Sequence, residues 1–247
     1  MSSRDAILGR IRNANALAHQ PPPARPPVPQ VWPRENPGVE AMAGRFAQEL
    51  AEVHGETFRV ASMDDARKKL AELAEAAGWT SIGAMDRPLC RALLAGLVPQ
   101  RVAWTAQGEK GDSPHLPERP EGCFAQMGTV PFFPAPDGTP QTMAELSLGV
   151  VEADYLVADT GSAMIACRTP QERLLCYLPP ACVVIAGADR LAEHLPAIWD
   201  EVARRAADPA LRGEFVFITG PSRTADIEKI LILGAHGPKR LVVLLVG

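Results

Sequence analysis

The chain has 247 residues, 47% of them apolar, a formal net charge of −4 and a pI near 5.8. That is enough chain to bury a full core, and the acidic balance argues against a nucleic-acid or anionic-membrane surface. Its longest apolar runs fall far short of the ~18 residues of a membrane span, and Arg4, Arg10 and Arg12 interrupt the apolar residues where a signal peptide would need its hydrophobic region. A cytoplasmic location is expected. The five cysteines, Cys90, Cys123, Cys167, Cys176 and Cys182, show none of the spacings of a zinc or iron–sulfur motif. They read as reduced and mostly buried, with a meeting of Cys167, Cys176 and Cys182 at a metal as the alternative.

Residues 4–18 fit a short amphipathic helix, with Ile7, Leu8 and Ile11 opposite the arginines. Eight prolines between Pro21 and Pro37 then exclude helix and central strand, so residues 1–38 are read as a helix and an extended linker. That helix either packs on its own domain or docks elsewhere. The folded domain is expected over 39–247. Met42, Phe46, Leu50 and Val53 keep helical spacing, and Thr57–Val60 reads as a strand. Ser62 with Asp64 and Asp65 marks the start of the next helix, and Gly78 its end. A strand around Ile82, a helix over 87–96 and a strand over 101–104 continue the alternation. This is the pattern of an α/β fold with a mostly parallel sheet flanked by helices. No GxGxxG follows any of these strands.

Gly108–Gly138 is irregular and rich in proline, the composition of a binding loop or of local disorder. Residues 141–150 read as helix, and Ala153–Ala158 with Ala163–Cys167 as a hairpin. In its turn, Thr160, Gly161 and Ser162 either hydrogen-bond the turn itself or hold an anion on its amides. A strand over 182–186 precedes a helix whose apolar face is Leu191, Leu195, Ile198 and Val202.

Residues 214–219 read as a buried strand leading into the segment richest in polar chemistry. Gly220-Pro221-Ser222-Arg223-Thr224 supplies hydroxyls and a guanidinium suited to a carboxylate or phosphate. His236-Gly237-Pro238 supplies an imidazole, a side chain able to take up or release a proton. Either these are plain turns and a structural histidine, or they build a ligand site at strand ends. If Thr224 caps a helix, Asp226 and Glu228 lie in its first turn, where the macrodipole favours them; the competing role is general acid or base. The run Ile230–Leu233 fits helix or strand, and a final strand spans Leu241–Val246.

These residues resemble the lactate-utilization protein C family, whose members consist of a LUD domain. The resemblance rests on the Arg4–Arg12 helix, Asp159-Thr160-Gly161-Ser162, Leu178-Pro179-Pro180, GPSRTADIE over 220–228 and Gly234-Ala235-His236-Gly237-Pro238. It implies a fold similar to the sugar-phosphate isomerase and CoA-transferase superfamily. It also implies a component of bacterial growth on L-lactate, which is oxidised to pyruvate together with two iron–sulfur partner proteins. The clusters are then expected on the partners and no cofactor on this chain. The family supplies no agreed catalytic residue. On physical grounds, Arg223 with Gly220, Ser222, Thr224 and the Thr160–Gly161–Ser162 turn would bind the substrate. His236, or failing it Asp226 or Glu228, would move the proton. The alternatives are a stand-alone enzyme acting on a phosphorylated sugar or a CoA ester, and a purely structural or regulatory subunit.

Overall fold

The structure, a computed structural model, describes residues 3–17, 32–95, 102–105, 140–208, 214–225, 231–234 and 236–247. The expected loop over 108–138, Cys123, and the candidate residues Asp226 and Glu228 lie outside them. The chain divides into two compact units, Met1–Pro33 and Arg34–Gly247. The first contains helix α1, Ser3–Leu17. The second begins with an irregular stretch whose amides at Glu35 and Asn36 donate to the Glu193 carboxylate, while the Arg34 guanidinium donates to the Ala197 carbonyl.

The opening elements of this unit follow from their sequences. Helix α2, Val39–Glu52, buries Ala43, Phe46 and Leu50 on one stripe. Strand β1, Glu56–Val60, follows, and then helix α3, Met63–Ala77. The Ser62 hydroxyl accepts the Asp65 amide at the start of α3, and Gly78, left-handed at φ 66°, ends it. Strand β2, Ile82–Ala84, helix α4, Pro88–Leu94, and strand β3, Val102–Trp104, complete this part.

Residues 141–150 correct the helical reading. A helix, α5, covers Pro140–Ala144, and strand β4 covers Leu148–Glu152. Between them the Ser147 hydroxyl accepts the amides of Thr80 and Ser81, which sets the chain down beside β2. The buried slot between β2 and the later strand β7 is filled by Leu148, Val150 and Val151 as strand, so tertiary pairing overrides the helical spacing.

Strands β5, Tyr155–Val157, and β6, Ser162–Ala166, form the expected hairpin. Helix α6, Pro170–Leu175, precedes β7, Ala181–Gly187. Leu191 belongs to a two-residue strand, β8 (Leu191–Ala192), and not to helix α7, which runs Leu195–Ala206 with the His194 side chain as its cap. Leu191 is buried beside β5 because it pairs with Leu156. The final elements are β9 (Phe215–Ile218), β10 (Arg223–Ala225), β11 (Leu231–Leu233) and β12 (Arg240–Val246).

Among the described residues, the main sheet has the order β1-β12-β7-β4-β2-β3, and every neighbouring pair in it is parallel. Two of its interior strands, the neighbours β12 and β7, have aliphatic residues buried on both faces, as a parallel sheet flanked by helices requires. A second sheet, β8-β5-β6-β9, packs Val157, Met164 and Ala192 against Ile198 and Val202 of α7. Strand β9 lies at the edge of this second sheet instead of completing the first. It is therefore half-buried, with Phe217 42% exposed, and not the buried strand that its composition suggests. Thr224 starts no helix. It sits in β10, opposite Ile232 of β11, and within the apolar run Leu231–Leu233 is strand.

Two contacts hold these layers together. At the hairpin turn, Gly161 has φ 60° and presses on the last turn of α2, where an added Cβ would lie 2.4 Å from the Leu50 amide nitrogen. At the other end of the hairpin, Arg87 is 4% exposed and donates through Nε and Nη2 to both oxygens of Glu172 (3.1 and 2.8 Å). The same guanidinium reaches Asp154 at 3.2 Å and the Ala166 carbonyl at 2.5 Å. Burial opposes its charge, but the hydrogen bonds and charge of Glu172, and then of Asp154, outweigh this and raise its pKa.

Two stability predictions follow from these contacts. Gly161→Ala combines an unfavourable φ with a backbone clash and should destabilise by more than ~1 kcal/mol, whereas Gly44→Ala, mid-helix with open space around it, should be neutral or stabilising by up to ~1 kcal/mol. Equal denaturant midpoints for the two variants would contradict this. Arg87→Met leaves buried carboxylates uncompensated and should cost about 3–5 kcal/mol by urea unfolding. A loss under ~1 kcal/mol would show that the network does not hold the sheets together.

Candidate functional site

The three polar motifs of the sequence meet in space. The Ser162 and Thr219 hydroxyls are 2.6 Å apart, and Thr160 Oγ1 donates to Ser162 Oγ at 2.8 Å. One residue on, Gly220 adopts φ 85° against Val53, just past the end of α2. The Ser222 amide then donates to the Pro238 carbonyl, and the Gly234 amide to the Ser222 carbonyl, both at 2.8 Å. The Lys239 amide donates to the Pro180 carbonyl at 2.8 Å, which adds the Leu178-Pro179-Pro180 turn. Thr160–Ser162, Thr219–Ser222 and His236–Pro238 thus form one continuous ledge.

Its position follows from strand direction. Ala181, Arg240 and Glu56 are the first residues of β7, β12 and β1, so the ledge lies along the amino edge of the parallel sheet. Arg240 fixes this edge with a fork of hydrogen bonds to Glu56 at 2.6 and 2.9 Å, and its guanidinium lies 5.4 Å from the Trp79 ring centroid. Pro221 and Pro238 are buried, Ser222 is half-buried, and Arg223, His236 and Thr160 are exposed. The buried residues frame the ledge, and the side chains of Arg223, His236 and Thr160 face solvent. At the hairpin turn, Asp159 Oδ1 is buried without a partner among the described residues.

A second polar site, at the carboxyl edge of the same sheet, has no counterpart in the sequence reading. It is a cleft of about 1100 Å³. It is lined by residues that end or follow strands: Asp86 after β2, Thr105 after β3, Glu152 at the end of β4, Gly187 at the end of β7 and Arg168 after β6. The Arg87 network forms its floor. Glu152 accepts the Leu89 amide at 2.7 Å, and Asp154 pairs with Arg205. Glu201 hydrogen-bonds to Arg204 and Arg205, which holds its carboxyl at about 2. These residues come from short segments scattered along the chain and form no motif. The available signal was their recurrence just after strand ends, the edge where open α/β sheets place ligands.

Cys90, Cys167, Cys176 and Cys182 are free and buried. The Cys176 thiol is raised by its hydrogen bond to Cys167 and by burial, and burial pushes Cys182 up to about 12. Neutral thiols of this kind pack as small apolar groups. Among the described residues, no three His, Cys, Asp or Glu side chains are grouped to hold a metal ion, and no helix is long and apolar enough to cross a membrane.

Comparison with known proteins bears on the same region. Residues 134–246 match the LUD domain. The chain is 31% identical over 103 residues to lactate utilization protein C of Bacillus pumilus, covering 41% of this chain and 43% of that protein. It is 30% identical over 103 residues to lactate utilization protein C of Halalkalibacterium halodurans, covering 41% and 45%. It is 28% identical over 123 residues to the uncharacterized protein YkgG of Escherichia coli, covering 49% and 53%. The match thus spans about half or less of each relative. A crystal structure of a DUF162 family protein from Deinococcus radiodurans superposes with a TM-score of 0.54 at 14% identity, over 85% of this chain and 99% of that one, a likeness of fold. The LUD match runs from residue 134 through β12, so the likeness to the LUD domain belongs to this C-terminal part of the chain.

Proposed function

We propose that this chain is an accessory or substrate-handling subunit in L-lactate utilization, in which L-lactate is oxidised to pyruvate together with two iron–sulfur partner proteins. The observation that carries the proposal is the ledge. Three motifs far apart in sequence converge there through the contacts of Ser162 with Thr219 and of Ser222 with Pro238, yet Arg223 and His236 remain exposed. The names of the relatives point the same way.

In this reading Arg223 holds the lactate carboxylate through its two-pronged guanidinium, and the Ser222 hydroxyl and the amides around Gly161 assist. Oxidation releases two electrons and two protons. His236 would take the hydroxyl proton, and the partner proteins would take the Cα proton and the two electrons, which their iron–sulfur clusters would carry away one at a time. An exposed ledge is a poor place for such chemistry while water covers it, because polar interactions strengthen when solvent is excluded. A partner surface closing over the ledge would supply that exclusion, which is the physical reason for preferring a subunit to a free-standing enzyme. Thr224 would contribute from β10, and Asp226 or Glu228 stand as substitute proton acceptors.

Lactate-dependent dye reduction tests the proposal. Activity is expected when the chain is co-expressed with its two iron–sulfur partners and should disappear when the chain is omitted. In the active mixture, His236→Ala should lower turnover by about 100-fold or more with little change in KM, and Arg223→Gln should chiefly raise KM. Undiminished activity without this chain would refute the subunit role, and unchanged turnover in His236→Ala would remove that residue from the mechanism.

A further inference from the structure

We infer that the cleft at the carboxyl edge is a second binding site, for an organic carboxylate whose body carries hydrogen-bond donors, and that Arg168 anchors the carboxylate. The anchor is identified by asking which cations facing the cleft are already engaged. Arg205 is bound by Asp154 and Glu201, Arg204 by Glu201, and Arg190 by Asp189. Arg87, beneath the floor, is bound by Glu172 and Asp154. Arg168 lines the cleft and is exposed, and its guanidinium has no partner among the described residues.

Its backbone is fixed nonetheless. The Arg168 amide donates at 2.6 Å to Glu172 Oε2, an oxygen that Arg87 also holds. The guanidinium is therefore carried on a fixed backbone, and only the ordering of the side chain itself remains for a ligand to impose.

The lining also selects the class of ligand. Six carboxylate side chains and four arginines face the cleft, so a doubly charged phosphate meets net repulsion while a single carboxylate fits one free guanidinium. The surplus of acceptor oxygens favours hydroxyl or ammonium donors on the rest of the ligand. A volume of about 1100 Å³ is at the upper end of small-molecule pockets (roughly 300–1,000 Å³), which suits a body longer than three carbons. The cleft and the ledge lie on opposite edges of the sheet, so this inference does not depend on the lactate reading.

The test is a ligand-observed NMR titration of the full chain with D-gluconate, which carries hydroxyl donors, 6-aminohexanoate, which carries an ammonium donor, and hexanoate, which carries neither. At least one donor-bearing acid should bind at millimolar concentration and about tenfold or more tighter than hexanoate, and Arg168→Gln should weaken it about tenfold or more. Because Arg168 is exposed, this variant should unfold at the wild-type urea midpoint, and Arg168→Lys should retain part of the binding. Absence of binding by both donor-bearing acids, equal binding of hexanoate, or undiminished binding in Arg168→Gln would overturn the inference. No lactate, dye or partner protein is present, so failure of the dye assay and failure of this titration are separate outcomes.

Discussion

The buried Arg87 guanidinium is the joint on which the two sheets meet. It leaves the carboxyl end of β2, grips Glu172 of α6 with two prongs, and reaches Asp154 and the Ala166 carbonyl at the base of the β5–β6 hairpin. Asp154 carries the connection on to Arg205 of α7 and to the Ala166 amide. Removing two carboxylates and a guanidinium from water is expensive, and a buried network of this kind rarely improves on an apolar core. It does fix relative positions. The main sheet, the hairpin and two helices are registered by one planar group whose hydrogen bonds have set directions.

That registration determines what each edge of the sheet can do. The hairpin rooted at Arg87 ends at Gly161, which rests on the last turn of α2 beside Gly220. The ledge is therefore set by the far end of the same hairpin whose base forms the floor of the cleft. The ledge is exposed, built from turns and framed by buried prolines. The cleft is concave and highly charged, with a floor of paired ions. A flat ledge needs a cover before its dipoles act strongly, whereas a concave site excludes part of the solvent by itself.

Much of this was readable from sequence wherever local chemistry and tertiary demand agree. Ser62 and Gly78 delimit α3 because a hydroxyl cap and a left-handed glycine are local devices. The Cys182–Ala186 and Leu241–Val246 runs mark two interior strands because strands buried on both faces carry no polar alternation. The GPSR and HGP turns were visible as motifs, and their meeting at Ser222 and Pro238 lies in strand pairing that no local pattern encodes. Leu148–Glu152 was lost to helical spacing because its strand state is imposed by β2 and β7. The edge position of β9 was hidden for a related reason. The composition of Phe215–Ile218 fits a pleated surface but does not say how many neighbours it has.

The cleft was the hardest part to read, and the reason is physical. Asp86, Glu152, Arg168 and Glu172 each look like an ordinary solvated charge when taken singly. Their meaning comes from the fold, which brings the carboxyl ends of β2 and β4, the end of the β5–β6 hairpin and helix α6 to one rim. Once the strands are paired, bound ions can be separated from free ones. Arg87, Arg204 and Arg205 are committed to carboxylates, and Arg168 is left facing the cleft on an amide that Glu172 holds. The same Glu172 thus serves the core through one partner and the cleft through the other, so a change that loosened the joint between the sheets would also loosen the anchor.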